Sequence, residues 1–349
     1  MDEAKLMDFM GKIVTDMGGA ALMANVMLGD ELGLYRAMAD NQPVSAERLA
    51  EKTGCHKRLL REWLNAQAAA GYIELTEGGE FVLPPEQAMA LAVEDSPVFI
   101  AGGTSVLAAM YLGKDKLVAA MRGNGGLPWS DQHPCLFRGT ERFFRPGYRN
   151  HLVAEWLPAL EGVVGKLEAG ANVADVGCGH GASSVLLAET YPKSRFYGSD
   201  YHAASINTAK QRAAEAGVGD RLSFEHANAK SYAGRDFDLI CFFDCLHDLG
   251  DPVGAAKHAH QALKNDGAVL LVEPYAKDTL RENFNPVGRL YYAASTCLCT
   301  PNSLSQEVGL ALGAQAGEAR LRRVFNDAGF KHFRRATETP FNLVFEARK

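Results

Sequence analysis

The sequence predicts an α/β fold in which a parallel sheet follows a mainly helical N-terminal domain. Residues 173–181 (VADVGCGHG) have the pattern of a short apolar strand that ends in alternating glycines and continues into a helix. Residues 196–200 (FYGSD) and 237–243 (FDLICFF) have the pattern of further strands. Residues 331–349 indicate two strands joined by a Thr-Pro turn, so an antiparallel hairpin closes the predicted sheet.

The glycines of the first segment predict a close approach between the main chain and a nucleotide-like ligand. Glycine adopts the positive φ of such a turn and leaves space that a side chain would fill. The helix that follows adds N–H donors at its N-terminus. Asp175 stands two residues before the first of these glycines, and Asp200 ends the next strand. A carboxylate at the second position can accept hydrogen bonds from both ribose hydroxyls of a cofactor.

The order D-x-G-x-G-x-G, then an Asp after the second strand, then a terminal hairpin resembles the class I S-adenosylmethionine-dependent methyltransferases. The resemblance covers residues 150–349. It implies a Rossmann-like seven-stranded methyltransferase sheet with the last strand inserted antiparallel, and S-adenosylmethionine as the cofactor. The segment GCGHGA also satisfies the GxGxxA pattern of NAD or flavin sites. Asp175 suits a cationic ligand better than a pyrophosphate, and together with the hairpin it favours the methyltransferase.

The same resemblance assigns cofactor contacts residue by residue. Asp175 would hold the methionine amino group, directly or through water, and Asp200 would bind the ribose. Tyr201 would pack near the adenine. Asn228 stands where the family usually has an Asp that accepts from the adenine amino group, and an amide oxygen can accept that bond as well. The remaining predicted cofactor-binding residues are Gly177, Cys178 and Gly179 through their backbone, Ala229, Phe243 near the sulfonium, and Tyr148 from the preceding helix.

The segment LHDLGDP (246–252) follows a predicted buried strand. It resembles the L-H-D-W-x-D segment of small-molecule O-methyltransferases, whose His is the general base, although Leu249 replaces the Trp. The resemblance implies that His247 deprotonates a substrate hydroxyl, and the reference pKa of histidine would leave it partly neutral at physiological pH. Asp248 is the adjacent acid, for which the sequence predicts no particular contact. The alternative is that His247 only caps or packs at the end of the strand.

The N-terminal residues have the pattern of a winged helix. Residues 18–40 show helical spacing, Ser45 is a candidate N-cap for a helix that ends at Gly54, and a second helix ends at Gly71. Residues 72–84 then indicate a hairpin with a Gly-Gly turn. This domain occurs in DNA-binding regulators, and also in front of small-molecule O-methyltransferases, where it serves dimerisation. The order of the two domains is also similar to that of an uncharacterised actinobacterial group.

The net charge of the N-terminal residues distinguishes DNA binding from dimerisation as the role of this domain. Residues 1–100 contain 8 Lys and Arg against 16 Asp and Glu, and the whole chain has a formal net charge of −6. An acidic domain is poorly suited to a phosphate backbone, so we expect a homodimer and neither nucleic acid nor an anionic membrane as partner. No secretory pattern is evident at the start, and no apolar run has the length of a membrane span, so we expect a cytoplasmic protein.

The domain limits follow from these patterns. We expect a winged-helix dimerisation domain over 1–95, a helical linker with a substrate-proximal loop (123–139) over 96–150, and the methyltransferase domain over 151–349. A cap insertion at 276–316 is predicted to roof the substrate pocket with Phe284, Leu290, Tyr291, Tyr292 and Leu298. For any one of these residues, packing of a helix on the core is an equally good interpretation.

The cysteines argue against a structural metal. The chain has 7 Cys, an odd number without C-x-x-C spacing, which is typical of free thiols in a reducing compartment. Cys297-x-Cys299 is a candidate metal pair, but no partner pair accompanies it. We therefore expect no metal.

The sequence thus predicts S-adenosylmethionine-dependent methyl transfer to a small apolar or aromatic molecule, with S-adenosylhomocysteine as product. Oxygen is the preferred acceptor atom because of His247, while nitrogen, sulfur and carbon remain open, as does an inactive protein that only binds the cofactor. Two other classes stay as alternatives. One is a winged-helix transcriptional regulator that senses S-adenosylmethionine, and the other is an NAD-dependent oxidoreductase.

Overall fold

A computed structural model describes residues 1–349, and the chain divides into two compact units. The first unit comprises residues 1–108 and 138–146, and the second comprises 109–137 and 147–349. Each unit has its own apolar core, as the length of the chain allows. The segment 96–150, treated above as a linker, contributes residues to both units.

The first unit has the predicted winged-helix pattern of two short helices followed by a hairpin. Its elements are α1 (Glu3–Glu31), α2 (Leu34–Ala37), α3 (Ala46–Thr53), α4 (Lys57–Ala69), β1 (Glu74–Leu75), β2 (Phe81–Val82), α5 (Pro85–Leu91) and the first part of α6 (Gly103–Leu112). Ser45 caps α3 as predicted, since its side chain accepts a hydrogen bond from the Arg48 N–H at 3.2 Å. β1 and β2 pair antiparallel, which confirms the hairpin.

The first helix is longer than predicted and begins at Glu3 instead of residue 18. Asp2 supplies the N-cap by accepting a hydrogen bond from the Lys5 N–H at 3.2 Å. Only Leu22, Val26 and Gly29 of this helix are buried, all in its C-terminal part. The expectation failed because the N-terminal half carries exposed apolar residues that do not follow the spacing of a core-facing helix.

The second unit contains the large sheet and the helices that cover it. Its strands are β3 (Asn172–Val176), β4 (Arg195–Asp200), β5 (Leu222–His226), β6 (Phe237–Phe243), β7 (Leu263–Pro274), β8 (His332–Glu338) and β9 (Asn342–Arg348). Its helices are α7 (Lys114–Arg122), α9 (Val163–Ala169), α10 (Ala182–Thr190), α11 (Ala203–Glu215), α12 (Pro252–Ala262), α13 (Pro286–Ala294), α14 (Thr300–Leu304) and α15 (Gly317–Asp327), while α8 (Cys135–Gly147) has residues in both units.

The seven strands lie in the order β5-β4-β3-β6-β7-β9-β8. Strands β3 to β7 are parallel, and β9 is antiparallel to both of its neighbours. The last strand of the chain is therefore inserted antiparallel, which confirms the predicted fold class. The central strand β6 is almost wholly buried because helices cover both faces of the sheet, and its apolar run FDLICFF reflects this. Its carboxyl end, with those of β3 and β4, forms the edge where ligands of such sheets bind.

The predicted 123–139 loop and the predicted 276–316 insertion both contain short helices. The 123–139 loop includes a 3₁₀ helix at Trp129–Asp131 and the start of α8. The 276–316 insertion contains α13, a π-helix at Ser295–Cys299 and α14. No helix combines the length and the apolar character that crossing a bilayer requires.

Candidate active site

The turn after β3 has the backbone geometry expected of its glycines. Gly177, Gly179 and Gly181 all have positive φ, of 76°, 51° and 76°. A Cβ atom on Gly177 would lie 2.8 Å from the sulfur of Cys245, whereas one on Gly179 would meet nothing within 4 Å. Gly177 is therefore required by packing within the chain, and Gly179 leaves one side of the turn open.

The N–H groups of this turn are already used within the protein. Those of Gly177 and Cys178 both donate to the Ser199 carbonyl, at 2.8 and 3.0 Å, and that of Gly179 donates to Oδ2 of Asp200 at 2.9 Å. These bonds join the turn to the end of β4. A ligand would meet an already ordered main chain, and its polar partners would be the side chains around the turn.

Asp175 is buried at the carboxyl end of β3, and only one of its oxygens has partners. Oδ2 accepts hydrogen bonds from the hydroxyls of Ser183 and Ser184, at 2.7 and 2.5 Å. Oδ1 is buried without a hydrogen bond. Burial raises the pKa of this carboxyl to about 6, and the two serine bonds oppose that rise. The free oxygen fits a cationic donor such as an amino group, because such a donor would satisfy it and favour the ionised form.

Asp200 is held in one orientation by two backbone donors. Oδ1 accepts from the His202 N–H at 2.8 Å, and Oδ2 accepts from Gly179 as described. Burial raises the pKa of Asp200, against the lowering effect of these bonds. Each carboxylate oxygen keeps a further lone pair, so the group can still accept from two ribose hydroxyls.

Two other predicted cofactor residues make bonds within the chain. The Tyr201 hydroxyl donates to Oδ1 of Asn302 at 3.0 Å. Asn228 is exposed, and its Oδ1 accepts from the Lys230 N–H at 3.0 Å, beside the half-buried Ala229. The adenine contacts of these residues stay predictions.

Tyr148 and Phe243 lie together although they are far apart in sequence. Their ring centroids are 5.3 Å apart with an interplanar angle of 55°, and both side chains are buried. Trp156 packs edge-on against Tyr148 at 6.2 Å. The structure thus brings Tyr148 to the carboxyl end of β6, and its contact with the cofactor stays a prediction.

His247 is buried in a 3₁₀ helix, Leu246–Asp248, that follows β6. Its Nδ1 lies 2.6 Å from Oε2 of Glu273, and because a carboxylate only accepts, Nδ1 carries a proton. The other Glu273 oxygen accepts from the Leu246 N–H at 2.9 Å, which fixes the carboxylate. Glu273 stands near the end of β7 and was missed by sequence reasoning. The sequence feature that could have identified Glu273 is an acidic residue at the end of the apolar strand AVLLVEP.

The second ring nitrogen of His247 faces Asp248. Nε2 lies 3.1 Å from Oδ1 of Asp248, close enough for an ion pair, but Oδ1 is buried and makes no hydrogen bond of proper alignment. Burial lowers the pKa of His247, but the carboxylates of Asp248 and Glu273 outweigh it and raise that pKa well above its usual value. The expected partly neutral imidazole is therefore not what this arrangement favours, since it stabilises the protonated ring.

A further carboxylate, Asp244, lies at the end of β6. It has a φ of 49°, which is unfavourable for a residue other than glycine, and this backbone directs it into the site. Oδ1 accepts from Nδ2 of Asn342 at 2.8 Å, while Oδ2 is buried without a partner. Burial, reinforced by Glu273, raises the pKa of Asp244 well above its usual value.

Cys299 belongs to the same cluster, whereas Cys297 does not. The sulfur of Cys299, Nε2 or Nδ1 of His247 and an oxygen of Asp248 lie within 4.8 Å of one another. Cys299 is buried in the π-helix of the cap insertion, and Cys297 is half-buried. The candidate pair of the sequence is thus replaced by a three-residue group. Spacing gave no signal for it, because the members come from two distant segments.

Asn302 ties the cap insertion to its surroundings and was also missed. Its Oδ1 accepts from Tyr201 and from the Trp129 N–H, each at 3.0 Å, and its Nδ2 donates to the Asp248 carbonyl at 3.2 Å. The side chain is buried. A lone Asn within an irregular insertion carries no sequence signal for such a role.

The predicted roof residues differ in exposure. Tyr291 is buried, and its hydroxyl donates to the Phe341 carbonyl at 2.8 Å. Leu298 is buried and Tyr292 is half-buried, whereas Phe284 and Leu290 are exposed. A role in roofing the substrate pocket thus remains a prediction for Tyr291, Tyr292 and Leu298. Phe284 has few contacts within this chain.

Comparison with known families bears on both units. Residues 167–329 match the family model described as a methyltransferase domain, and residues 18–93 match the model described as an Rv2258c-like winged helix–turn–helix domain. The chain therefore contains a methyltransferase domain preceded by a winged-helix domain, which confirms the predicted resemblance.

Among curated proteins, 27-O-demethylrifamycin SV methyltransferase of Amycolatopsis mediterranei (strain S699) is 30% identical over 145 residues. That match covers 41% of this chain and 48% of the relative, so the chain spans about half the length of that protein.

Solved structures share the fold over the whole chain. A protein of Nostoc punctiforme PCC 73102, described as a candidate O-methyltransferase, has a TM-score of 0.73 at 19% identity, covering 100% of this chain and 99% of its own. Human N-acetylserotonin methyltransferase, solved in complex with S-adenosylmethionine, has a TM-score of 0.70 at 17% identity, covering 100% and 98%. At these identities the likeness confirms the fold.

Proposed function

We propose that this chain, a methyltransferase domain behind a winged-helix domain, transfers a methyl group from S-adenosylmethionine to a hydroxyl of a small molecule. The observation that carries the proposal is the carboxyl edge of the sheet. There Asp175 keeps a buried oxygen without a partner, Asp200 is oriented by two N–H groups, and Gly179 leaves the turn open. The partial match to 27-O-demethylrifamycin SV methyltransferase supports a hydroxyl group as the methyl acceptor.

The two carboxylates at the carboxyl edge of the sheet would bind different groups of the cofactor. Asp175 would accept from the amino group of the methionine moiety, and Asp200 would accept from the ribose hydroxyls. Tyr148 and Phe243, whose rings pack at a tilt at the end of β6, would exclude water from the transfer site. When bound, S-adenosylmethionine supplies a sulfonium methyl group that is intrinsically reactive. The protein therefore contributes mainly alignment of the acceptor and exclusion of water.

His247 is the proposed base for a hydroxyl acceptor. Glu273 holds Nδ1–H and leaves Nε2 as the position that exchanges a proton. An acceptor hydroxyl placed beside Nε2 would replace its contact with Asp248. Because the free site favours the protonated ring, Nε2 must first release its proton to solvent. The neutral ring then takes the hydroxyl proton at Nε2, and the resulting imidazolium is stabilised by the Glu273 carboxylate.

The first test is calorimetric titration of the full chain with S-adenosylmethionine, S-adenosylhomocysteine and NAD. We expect micromolar binding of the two sulfur compounds and none of NAD, because the N–H groups of Gly177, Cys178 and Gly179 already have acceptors within the chain. A screen of phenolic and other hydroxyl acceptors for methylated product follows. Binding of NAD with neither sulfur compound would overturn the proposal and favour the oxidoreductase.

The winged helix gives little support to DNA binding. Arg58 and Arg61 of α4, the helix that would read DNA, pair with Glu62 and Glu47 on the protein surface. A gel-shift assay at low salt with genomic fragments separates the two functions. We expect no retarded band, and a band that responds to S-adenosylmethionine would favour the regulator instead.

We also propose that α1 forms a homodimer. The side chains of Leu6, Met7, Phe9, Met10, Val14 and Met17 are apolar and exposed. They lie ahead of the part of α1 that packs on its own unit, so a second copy of the chain is the natural cover. The double variant Met7→Glu/Phe9→Glu should run as a monomer in light scattering, and Lys12→Glu should remain dimeric. A monomeric wild-type chain would contradict this proposal.

A cytoplasmic location remains our proposal for the cell. All seven cysteines are free in the structure, which suits a reducing compartment.

A further inference from the structure

Asp244 has no role in the methyl-transfer proposal, yet it lies among the groups of the acceptor side. It follows β6 directly, three residues before His247, and its N–H donates to the Val272 carbonyl at 2.8 Å. Glu273 and His247 both act electrostatically on its carboxyl group. That carboxyl group in turn acts on the hydroxyl of Tyr291, one of the predicted roof residues. Asp244 therefore lies near both the proposed base and the cap insertion.

The two carboxyl oxygens of Asp244 have different surroundings. Oδ1 accepts a hydrogen bond from Nδ2 of Asn342 at 2.8 Å. Oδ2 is buried and makes no hydrogen bond, although the residue as a whole is half-buried. A buried polar atom without a partner destabilises the free protein, because it has lost its bonds to water without gaining others. A ligand that supplied the missing partner of Oδ2 would bind more tightly for that reason.

The neighbouring groups indicate which carboxyl group keeps its proton. Glu273 accepts two hydrogen bonds, from Nδ1–H of His247 and from the Leu246 N–H. Asp248 lies at ion-pair distance from Nε2 of the same ring. One imidazolium cannot balance three carboxylates, and Asp244 has only a single neutral amide donor. Burial, reinforced by Glu273, raises the pKa of Asp244 well above its usual value. Asp244 is thus the group that is neutral in the free site.

The position of that proton determines what Asp244 can bind. A neutral carboxyl group has one O–H donor and one carbonyl oxygen that accepts. Because Oδ1 accepts from Asn342, the proton belongs on Oδ2. The buried oxygen without a partner is therefore a donor that lacks an acceptor. A carbonyl oxygen of a ligand would satisfy it, whereas an alkyl group would leave it unpaired and a protonated amine would require the ionised form.

We propose that Asp244 determines acceptor specificity, with Oδ2–H donating a hydrogen bond to a carbonyl oxygen of an acceptor whose hydroxyl lies at Nε2 of His247. The substrate class is then a hydroxylated aromatic ketone. This inference rests on the proposed methyl transfer and adds the second polar group of the acceptor. Asp244 exchanges no proton in the reaction, since it donates the same hydrogen bond before and after the methyl group is transferred.

Three probes of similar shape test the site by calorimetry on the full chain, with and without S-adenosylhomocysteine. The first, 3-hydroxyacetophenone, carries the carbonyl group. In 3-isopropylphenol an apolar group of the same shape replaces it, and in 3-(1-aminoethyl)phenol a protonated amine replaces it. The 2-substituted isomers cover a shorter spacing. In at least one series we expect the ketone to bind about tenfold more tightly than the isopropyl compound, and the amine to bind no better than the latter.

Two variants of Asp244 and one matched control locate the effect. Asp244→Asn should keep the preference for the ketone, because the amide oxygen still faces Asn342 and the amide nitrogen then donates from the position of Oδ2. Asn also tolerates the positive φ of this residue. Asp244→Ala should bind the ketone and the isopropyl compound alike. Asp236→Ala should behave as wild type, since Asp236 has a similar φ of 57° but is exposed.

Equal affinity of the wild-type chain for the ketone and the isopropyl compound, including no binding of either, would overturn the inference. Tighter binding of the amine, lost in Asp244→Asn, would also overturn it and would indicate an ionised Asp244. Binding of S-adenosylhomocysteine, measured on every variant, shows that each is folded and separates the two hypotheses. Its absence in wild type would contradict the proposed methyl transfer, whereas a ketone preference that persists in Asp244→Ala would contradict only the role of Asp244.

Discussion

The two halves of the candidate site are constructed differently. On the cofactor side, Asp175 bonds to Ser183 and Ser184 on the helix that follows it, and the turn after β3 bonds to the end of the neighbouring strand β4. On the acceptor side, His247 depends on Glu273 from β7 and approaches Cys299 from the cap insertion. The first half is built from two consecutive strands and the turns that follow them, while the second exists only after the distant strand β7 and the cap have assembled.

The difference also appears in how polar atoms are satisfied. Asp200 is fully oriented by backbone donors, so the cofactor side is ordered before any ligand binds. The acceptor side has two buried carboxylate oxygens without hydrogen bonds, on Asp244 and Asp248, whereas the cofactor side has one, on Asp175. Unsatisfied buried groups mark a place where ligand binding can supply missing partners. We therefore expect changes on the acceptor side to alter turnover and changes on the cofactor side to alter affinity.

His247→Ala is the strongest test of this division. Loss of a general base should lower kcat for a hydroxyl acceptor by about 10²–10⁴-fold. Affinity for S-adenosylhomocysteine, measured by calorimetry, should stay within twofold of wild type, because His247 touches no predicted cofactor residue. Turnover near that of wild type would show that His247 is not the base.

Asp200→Ala tests the opposite side. The variant removes a carboxylate that would accept two ribose hydroxyls, and hydrogen bonds to a charged group are worth about 1.5–3 kcal/mol each. We expect the Kd for S-adenosylhomocysteine to rise about 100-fold. An unchanged Kd would remove Asp200 from the cofactor site.

Asp175 should make cofactor affinity depend on pH. Its pKa of about 6 means that the ionised form, which an amino group requires, becomes dominant only above that pH. The affinity for S-adenosylhomocysteine should increase about tenfold between pH 5 and pH 7. Asp175→Asn should bind more weakly at pH 7 and show a flatter profile, and a wild-type profile flat over this range would contradict the assignment.

The same carboxyl predicts the sign of a smaller effect on stability. Because burial raises the pKa of Asp175, the folded state holds a proton that the unfolded chain has already released between about pH 4 and pH 6. Its contribution to the free energy of unfolding is therefore favourable at low pH and is lost as the pH rises through that window. Urea unfolding of wild type and Asp175→Asn at pH 4.5 and pH 7 should show the difference.

The cofactor half was predictable from sequence because its signal is local. The turn glycines, Asp175 and Asp200 lie where a strand ends, and the chain position of a strand end is visible in the apolar pattern. The hairpin of β8 and β9 was visible for the same reason. The start of α1 could not be predicted from the sequence, because a helix whose apolar side chains face outward lacks core-facing periodicity.

The acceptor half was predictable only in part. His247 was found through a motif, but its partners were not, since Glu273 comes from β7 and Cys299 and Asn302 come from the cap insertion, two later segments whose packing no spacing encodes. The usual pKa of histidine was a poor guide for the same reason, because Asp248 and Glu273 determine it. The expectation of no metal rested on cysteine spacing and on the lack of an HExxH-type motif, and it stays a prediction.

The hydrogen bonds of Asn302 join the two halves. One amide accepts from Tyr201, which follows Asp200, and donates to the carbonyl of Asp248, which follows His247. A ligand on either side that rotates the Asn302 amide must also change the hydrogen bond that this amide makes on the other side. Occupancy of the two sides would then be thermodynamically linked, and each ligand would change the affinity of the other by the same factor.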